Sequence, residues 1–487
     1  MIDTQAIRKK ILDLALRGKL TEQLPEDGTA EELLRQIESQ RIKKQSKTSQ
    51  AALIPDSEIP YTIPSNWMWL RLQDIGVYSG GKTPSMANKE YWSDGSVPWI
   101  TSKDMKQKYL SSSEMLISNT AAQELTIYPE KTVLFVVRSG ILRRSFPVAI
   151  LTQKGTINQD LKALRLYEPD MCEYVYYLLK GFETTILFQY AKDGTTVNNI
   201  VFDALLTMPI PIPPLAEQNR IVEKVQSIFA LLDSIDILQS QYQDNLTTLK
   251  SKLIDAGIQG KLTEQLPEDG TAEELYQQIQ QEKLALEKAG KIKKSKPLLP
   301  ISEEEKPFDI PANWKWVMLE DVVKTIDAGK SIKCNEAVPT NDQPGIIRVS
   351  AVTWGTFNER ESKTCLSEND WHSEYQILRN DFLVSRANTV KLIAACVIVE
   401  KIDKRLMLSD KILRLSFASN IDLHYMLFAL RSNTARAQIE SKATGTSDSM
   451  RNISQGDLRS IIIPLPPLAE QKRIVAKLKE LMAVYGG

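Results

Sequence analysis

Apolar residues return every seven positions through the centre of the chain. Ile221, Ile228, Ile235, Tyr242 and Leu249 form one series, and Val225, Leu232, Gln239, Leu246 and Leu253 form the other. Only Gln239 breaks the apolar character. A period of 3.5 residues held over this length predicts a coiled-coil seam rather than a buried globular helix. A helix over residues 217–256 would run roughly 60 Å at 1.5 Å per residue. Near the C-terminus Ile474, Leu478 and Leu481 repeat the start of the seam, and near the N-terminus Ile7 and Ile11 repeat its end. The two terminal pieces are therefore expected to lie along the central helix and complete an antiparallel coiled coil.

The flanks follow the same pattern twice. Residues 4–20 read as a helix, with Ile7, Ile11 and Leu14 at helical spacing and Gly18 as its stop. LPEDGT makes a turn, and Thr29–Glu32 has the pattern of a capping box for a helix from Ala30 to about Lys44. A polar linker, KKQSKTSQ, follows. GKLTEQLPEDGTAEELLRQI at residues 18–37 returns as GKLTEQLPEDGTAEELYQQI at 260–279, differing only at Leu34/Tyr276 and Arg35/Gln277. PIPPLAEQNRIVEKV at 211–225 returns as PLPPLAEQKRIVAKL at 464–478. The two ends together make a second, split copy of the centre.

Between these helices lie two regions with short β-like runs. IPSNWMWLRLQDI (63–75) opens one and IPANWKWVMLEDV (310–322) the other. SVPWI, KTVLFVV and PVAIL read as strands in the first, and GIIRVS, DFLVS and KLIAACVIV in the second. Each then has a helical stretch (171–188; 423–440), a Gly/Thr/Ser/Asn-rich loop and a Pro-rich closing strand. Val137-Arg138-Ser139 aligns with Ser385-Arg386-Ala387, and Asn199-Ile200 with Asn452-Ile453. The fold class is α+β: two α/β domains separated by long helices, in a pseudo-two-fold circular repeat. The expected segments are an N-terminal helical region (1–54), a first variable domain (55–214), a central helical region (215–297), a second variable domain (298–467) and a C-terminal helix (468–487).

Composition narrows the chemistry. The 487 residues carry 61 Lys plus Arg and 61 Asp plus Glu, which excludes a wholly basic nucleic-acid binder but allows a local basic face. No apolar run is long enough to span a membrane, and the polar start leaves the cytoplasm as the expected address. Cys172, Cys334, Cys365 and Cys396 have no CxxC spacing and read as reduced packing residues, and His372 and His424 are isolated. No GxGxxG loop and no NPPY-type motif of a methyltransferase acting on amino groups occur. Gly76–Thr83 satisfies the P-loop pattern, but Pro84 follows Thr83 directly and no helical period continues, so a turn carrying Lys82 and Thr83 is expected instead of an ATP site.

The motifs IPxxWxWxxLxDI, PIPPLAEQxRIVxK and GKLTE, each present twice and in order, resemble those of the specificity subunits of Type I restriction–modification systems. GGKTPSMANKEYWSDGSVPWITSKDM (80–105) is similar to a target-recognition domain of that family. The resemblance implies a subunit that is non-catalytic alone and binds no cofactor. Each variable domain would read one half of a bipartite, asymmetric site in double-stranded DNA. The conserved helices would set the spacing and dock two methyltransferase (modification) subunits. S-adenosylmethionine would sit on those subunits, and ATP and Mg on two restriction (motor/nuclease) subunits. The PPLAEQ segments and coiled-coil flanks are candidates for the methyltransferase interface. A coiled-coil scaffold with two protein-binding heads is the alternative.

Phosphate contacts need Lys, Arg and small polar donors on loops, and base reading needs Arg, Lys, Asn or Gln at a groove edge. In the first domain the candidates are Lys82, Thr83, Lys103, Arg138, Arg143, Arg144, Lys192, Thr195, Thr196 and Asn198. In the second they are Lys330, Lys333, Arg348, Arg386, Asn388, Lys391, Lys442, Thr446, Ser447 and Arg451. Trp67, Trp69, Trp314 and Trp316 read as packing anchors.

Overall fold

A computed structural model describes residues 1–44, 54–194, 197–294, 300–447 and 450–485. It divides into two compact units, Met1–Ser240 and Gln241–Gly487. The division falls inside the longest helix, Leu215–Ile258, two residues longer at each end than its heptads predict. The front of that helix closes the first unit and its back opens the second. The five segments expected from sequence regroup accordingly into two copies of one design.

In the first unit the helix Thr4–Leu16 runs antiparallel to the long helix. The Ile2 N–H donates to Gln239 Oε1 at 2.5 Å, Thr4 Oγ1 donates to Asp236 at 2.6 Å, and Arg8 bonds Asp233 at 2.7 Å while stacking over Phe229. Gln239, the polar residue of the seam, thus caps the end of the pairing. The helix stops about one turn earlier than a pattern to residue 20 suggests, because Gly18 takes φ +65° and Pro64 and Trp67 press against it. In the second unit the helix Leu468–Val484 packs on the back of the long helix, with Ile474 and Leu478 against Gly257. Of the predicted seam, Ile221, Val225 and Leu232 are buried. Ile228, Ile235, Leu246, Leu249 and Leu253 are half-buried. Tyr242 departs from the expectation: its side chain is 57% exposed.

Each variable domain repeats one sheet plan. In the first, the strand order is Gly76–Gly80, Leu161–Leu166, Val133–Val136, Val148–Leu151, Tyr109–Leu110. In the second it is Val323–Ala328, Ile412–Phe417, Phe382–Ser385, Cys396–Ile398. Val133–Val136 and Phe382–Ser385 are buried on both faces, as continuous apolar runs require. A smaller sheet carries one parallel pair in each domain, Trp99↔Thr156 and Gly345↔Leu406. A two-stranded ribbon ties the opening Trp motif to the closing Pro-rich strand: Met68–Arg71 with Pro209–Ile212, and Lys315–Met318 with Ile462–Leu465. Tyr174 and Tyr425 each donate to the carbonyl of that closing strand (Pro211, Pro464) at 2.8 Å.

The repeated motifs exist to make one buried lock. Glu217 of PPLAEQ is 0% exposed. Its carboxylate accepts hydrogen bonds from Trp67 Nε1 (2.8 Å), Gln23 Nε2 (2.9 Å) and Thr21 Oγ1 (3.1 Å). Glu470, equally buried, accepts from Trp314 (2.8 Å), Gln265 (3.0 Å) and Thr263 (3.2 Å). A buried carboxylate is tolerated only with such partners. Arg220 pairs with Asp27, and Arg473 grips Asp269 in the same way, holding the Asp269 carboxyl below its usual range. Gln218 and Gln471 bond the carbonyls of Pro213 and Pro466. The Glu and Gln of PPLAEQ are therefore spent inside each unit, and only neighbours such as Ala216 and Asn219 remain exposed. Trp67 and Trp314 are the packing anchors expected. The capping box is complete at Thr271/Glu274.

Two helical stretches differ from the sequence reading. Residues 171–188 become the helix Cys172–Gly181, a short turn and a π-helical turn at Ile186–Tyr190. Residues 423–440 break at buried Ser432, whose hydroxyl caps a new helix, Asn433–Lys442.

Candidate nucleic-acid interface

The Gly76–Thr83 string begins as a strand, not as a phosphate loop. Gly80 is the last strand residue, and no helix begins at Lys82 or Thr83. Gly81 is required by close approach, because a β-carbon there would sit 1.9 Å from the Ile157 carbonyl oxygen. The next amide, Lys82, donates to that oxygen at 3.1 Å. Lys82 and Thr83 are exposed, and the Thr83 hydroxyl donates to the Gln159 side chain. The second unit repeats the device. A β-carbon on Gly329 would sit 2.1 Å from the Leu408 carbonyl oxygen, and the Lys330 amide donates there at 3.4 Å. The two Gly-Lys pairs are thus structural equivalents.

Beside the turn in the first domain, the two candidate loops meet in one small sheet. Ala191–Lys192, Asn198–Ile200 and Arg138–Ser139 lie in that order, with Lys192 opposite Asn199 and Asn199 opposite Arg138. Arg138 is exposed and reaches Asp160 at 3.2 Å. Arg143 donates to Asn198 at 3.4 Å, and Asn198 donates to Asp193 at 2.8 Å. Asn198 is buried and shapes the loop, a correction to its reading as a contact residue; its neighbour Asn199 is the exposed one. Arg144 is exposed one residue after the turn Gly140–Arg143. Lys103 is exposed on the turn after Val97–Ile100, whose last carbonyl accepts from the Asn158 amide at 3.0 Å. Thr195 and Thr196 lie outside the described residues.

The second domain builds the matching sheet from Ala387–Asn388, Met450–Asn452 and Thr444–Ser447, with Asn388 opposite Arg451. Arg451 Nη1 donates to the Gly445 carbonyl at 3.4 Å. Thr446 and Ser447 are in the last strand, their side chains outside the described residues. Lys330, Lys333 and Lys391 are exposed, and Lys442 ends the helix Asn433–Lys442. Arg348 is half-buried and engaged within its own domain. It bonds the Glu336 carboxylate and carbonyl, each at 2.8 Å, and the Ser362 carbonyl, so its guanidinium ties loop to strand.

The hydrogen bonds also correct the alignment of the two domains by one residue. The Ile200 amide donates to the Val137 carbonyl, whereas Ile453 donates to Arg386. The Val137 and Arg386 amides donate to equivalent carbonyls, those of Asp160 and Lys411 respectively. Arg386 therefore stands where Val137 does, and Arg138 corresponds to Ala387. The residues missed by sequence reasoning are Gln159, Asn199 and Lys411, exposed polar groups adjoining the candidate residues. No local sequence signal marks them; they emerge only once the carbonyls that meet the two Gly-Lys pairs, Ile157 and Leu408, are matched.

Groups of His, Cys, Asp and Glu able to hold a metal ion are absent among the described residues. Cys172, Cys365 and Cys396 are buried, and burial holds the His424 imidazole below its ordinary pKa. No described helix is long and apolar enough to cross a membrane.

The two units repeat one plan, a variable domain closed by packed helices with basic and amide side chains near a Gly-Lys turn, which is the plan of a two-domain specificity protein. The chain belongs to the family of the Type I restriction modification DNA specificity domain, whose family model matches residues 64–242 and again 311–484. It is similar to the Type I restriction enzyme EcoEI specificity subunit of Escherichia coli, 28% identical over 531 residues, covering 98% of this chain and 89% of that protein. It is 26% identical to the EcoAI specificity subunit of Escherichia coli, covering 98% and 88%. A solved structure described as showing complex assembly and conformational transition of the type I R-M system aligns with TM-score 0.58 at 16% identity, covering 88% of this chain and 92% of that one. The family role is DNA recognition, and specificity subunits of Type I systems are non-catalytic.

Proposed function

We propose that this chain reads a bipartite, asymmetric DNA target, each variable domain recognising one half-site. The observation that supports this is the doubled framework. The same turn, the same small sheet and the same buried lock recur, while the exposed side chains they carry differ. One framework with two sets of side chains reads two unrelated sequences, whereas identical heads would read a palindrome. Lys82, Lys330 and the exposed Lys and Arg around them would contact phosphate, and the amides and guanidiniums of the small sheets would reach base edges.

The chain works in a complex. The long helix exposes Leu231 (64%), Leu238 (62%) and Tyr242 (57%) along one side, apolar area suited to a protein partner. The partners in this reading are two methyltransferase subunits carrying S-adenosylmethionine, with two restriction subunits carrying ATP and Mg; this chain binds no cofactor. Methylation mapping tests the proposal. The chain and its modification subunit are expressed in a methylation-free host, and N6-methyladenine is read across the genome. One asymmetric motif with a fixed unread gap is expected, and exchanging residues 55–210 should change one half-site only. A complex that forms but methylates nothing would favour the protein-binding scaffold.

A further inference from the structure

We propose that Gln159 and Asp410 are specificity-determining side chains at one structurally equivalent position of the two heads. This rests on the DNA-recognition reading above. The equivalence is fixed by hydrogen bonds on both sides of each residue. Ile157 and Leu408 carry the carbonyls against which Gly81 and Gly329 pack. Two residues beyond Gln159, the Leu161 amide closes a β-turn on the Asn158 carbonyl at 3.3 Å; two beyond Asp410, Ile412 closes the same turn on Ser409 at 3.1 Å. The residue between them and the strand, Asp160 or Lys411, bonds through its carbonyl to the amide of Val137 (2.8 Å) or Arg386 (2.9 Å). Gln159 and Asp410 thus hold the second position of the same tight turn. Both are exposed, and each stands two residues after the carbonyl that accepts from the amide of the lysine following the packed glycine.

The chemistry at this position differs where the backbone does not. A carboxamide offers a donor and an acceptor on one plane, the complement of an adenine edge in the major groove. Thr83, whose hydroxyl donates to the Gln159 side chain, steadies that plane. A carboxylate only accepts. It is a poor neighbour for phosphate and a good one for an exocyclic amino group, that of cytosine or adenine. Its charge penalises any sequence presenting an acceptor there, which is specificity by repulsion. A shared turn with an interchangeable tip is how one framework yields two half-sites.

The test uses the full chain with its modification subunit. Gln159→Ala, Gln159→Glu, Asp410→Asn and Asp410→Ala complexes are compared with wild type by genome methylation and by binding to duplexes substituted at each position of the wild-type motif. Gln159 variants are expected to lose discrimination at one position of one half-site by roughly ten- to a hundredfold, leaving the other half-site unchanged. Asp410 variants should do the same in the other half-site, at a position occupied by adenine or cytosine on one strand. An unchanged motif, or weakening that is equal for every base at every position, overturns the inference. A wild-type complex that yields no bipartite motif brings down the DNA reading itself, a result the variants do not enter.

Discussion

Single residues in this protein divide sharply between those that hold the frame and those that face outward. Lys82 belongs to the second kind, with only its backbone engaged. Lys82→Ala is expected to weaken DNA binding of the assembled complex about equally on all sequences and to lower the slope of log K against log salt by about one, measured by a salt titration. Glu217 belongs to the first kind. Its truncation to Ala leaves the buried Trp67 indole N–H and the half-buried Thr21 hydroxyl without their acceptor, at about 1–3 kcal/mol for each group left unsatisfied, while the Gln23 amide keeps the Gly18 and Thr21 carbonyls. Glu217→Ala should therefore destabilise the first unit by at least ~2 kcal/mol in denaturant unfolding, and Glu470→Ala the second. At this scale the sequence was legible where local chemistry decides. The Pro84 argument against a phosphate loop holds, because Gly76–Gly80 is a strand. It was not legible where a partner far along the chain decides. Nothing near Arg348 reveals Glu336 as its partner, and nothing near Asn198 reveals that Arg143 and Asp193 will bury it.

Elements show the same division. The heptads located the long helix to within two residues, since a seam is a repeated local signal. They did not show how far its partners reach. Leu232→Ala should cost about 2–5 kcal/mol, whereas Tyr242→Ala should lie within about 0.5 kcal/mol of wild type, both read by thermal or denaturant unfolding of the free chain. The break at Ser432 was missed for a related reason. Residues 423–440 keep a helical pattern, but Asp255 accepts from the Asn433 amide at 2.9 Å and its side chain at 2.7 Å, capping a second helix from far along the sequence. KLIAACVIV reads as one strand, yet only Cys396–Ile398 pairs, because Ala394 takes φ +53° in a turn bonded to Ser385. Gly81→Ala and Gly329→Ala test the turns. Either should cost about 1–3 kcal/mol through overpacking on a carbonyl, with loss of the corresponding half-site in a methylation map.

The whole molecule was foreseen as a circular repeat, and the two units bear this out while regrouping its segments. Each unit owns a core, one spanning Leu12 to Val225 and the other Ile258 to Leu478. Residues 1–240 should therefore fold cooperatively when expressed alone, as judged by protease resistance and a single unfolding transition. The near-identity of the two lock segments has a consequence for the gene. Thr21, Gln23 and Asp27 have the same identities as Thr263, Gln265 and Asp269, so either copy of residues 18–33 satisfies either Trp–Glu pair. A crossover between the two coding stretches stays in frame, joins the first helix directly to the second head, and leaves every buried hydrogen bond of the lock with a partner. A single genetic event can thus change what the protein reads, because the parts that must fit are identical in its two copies.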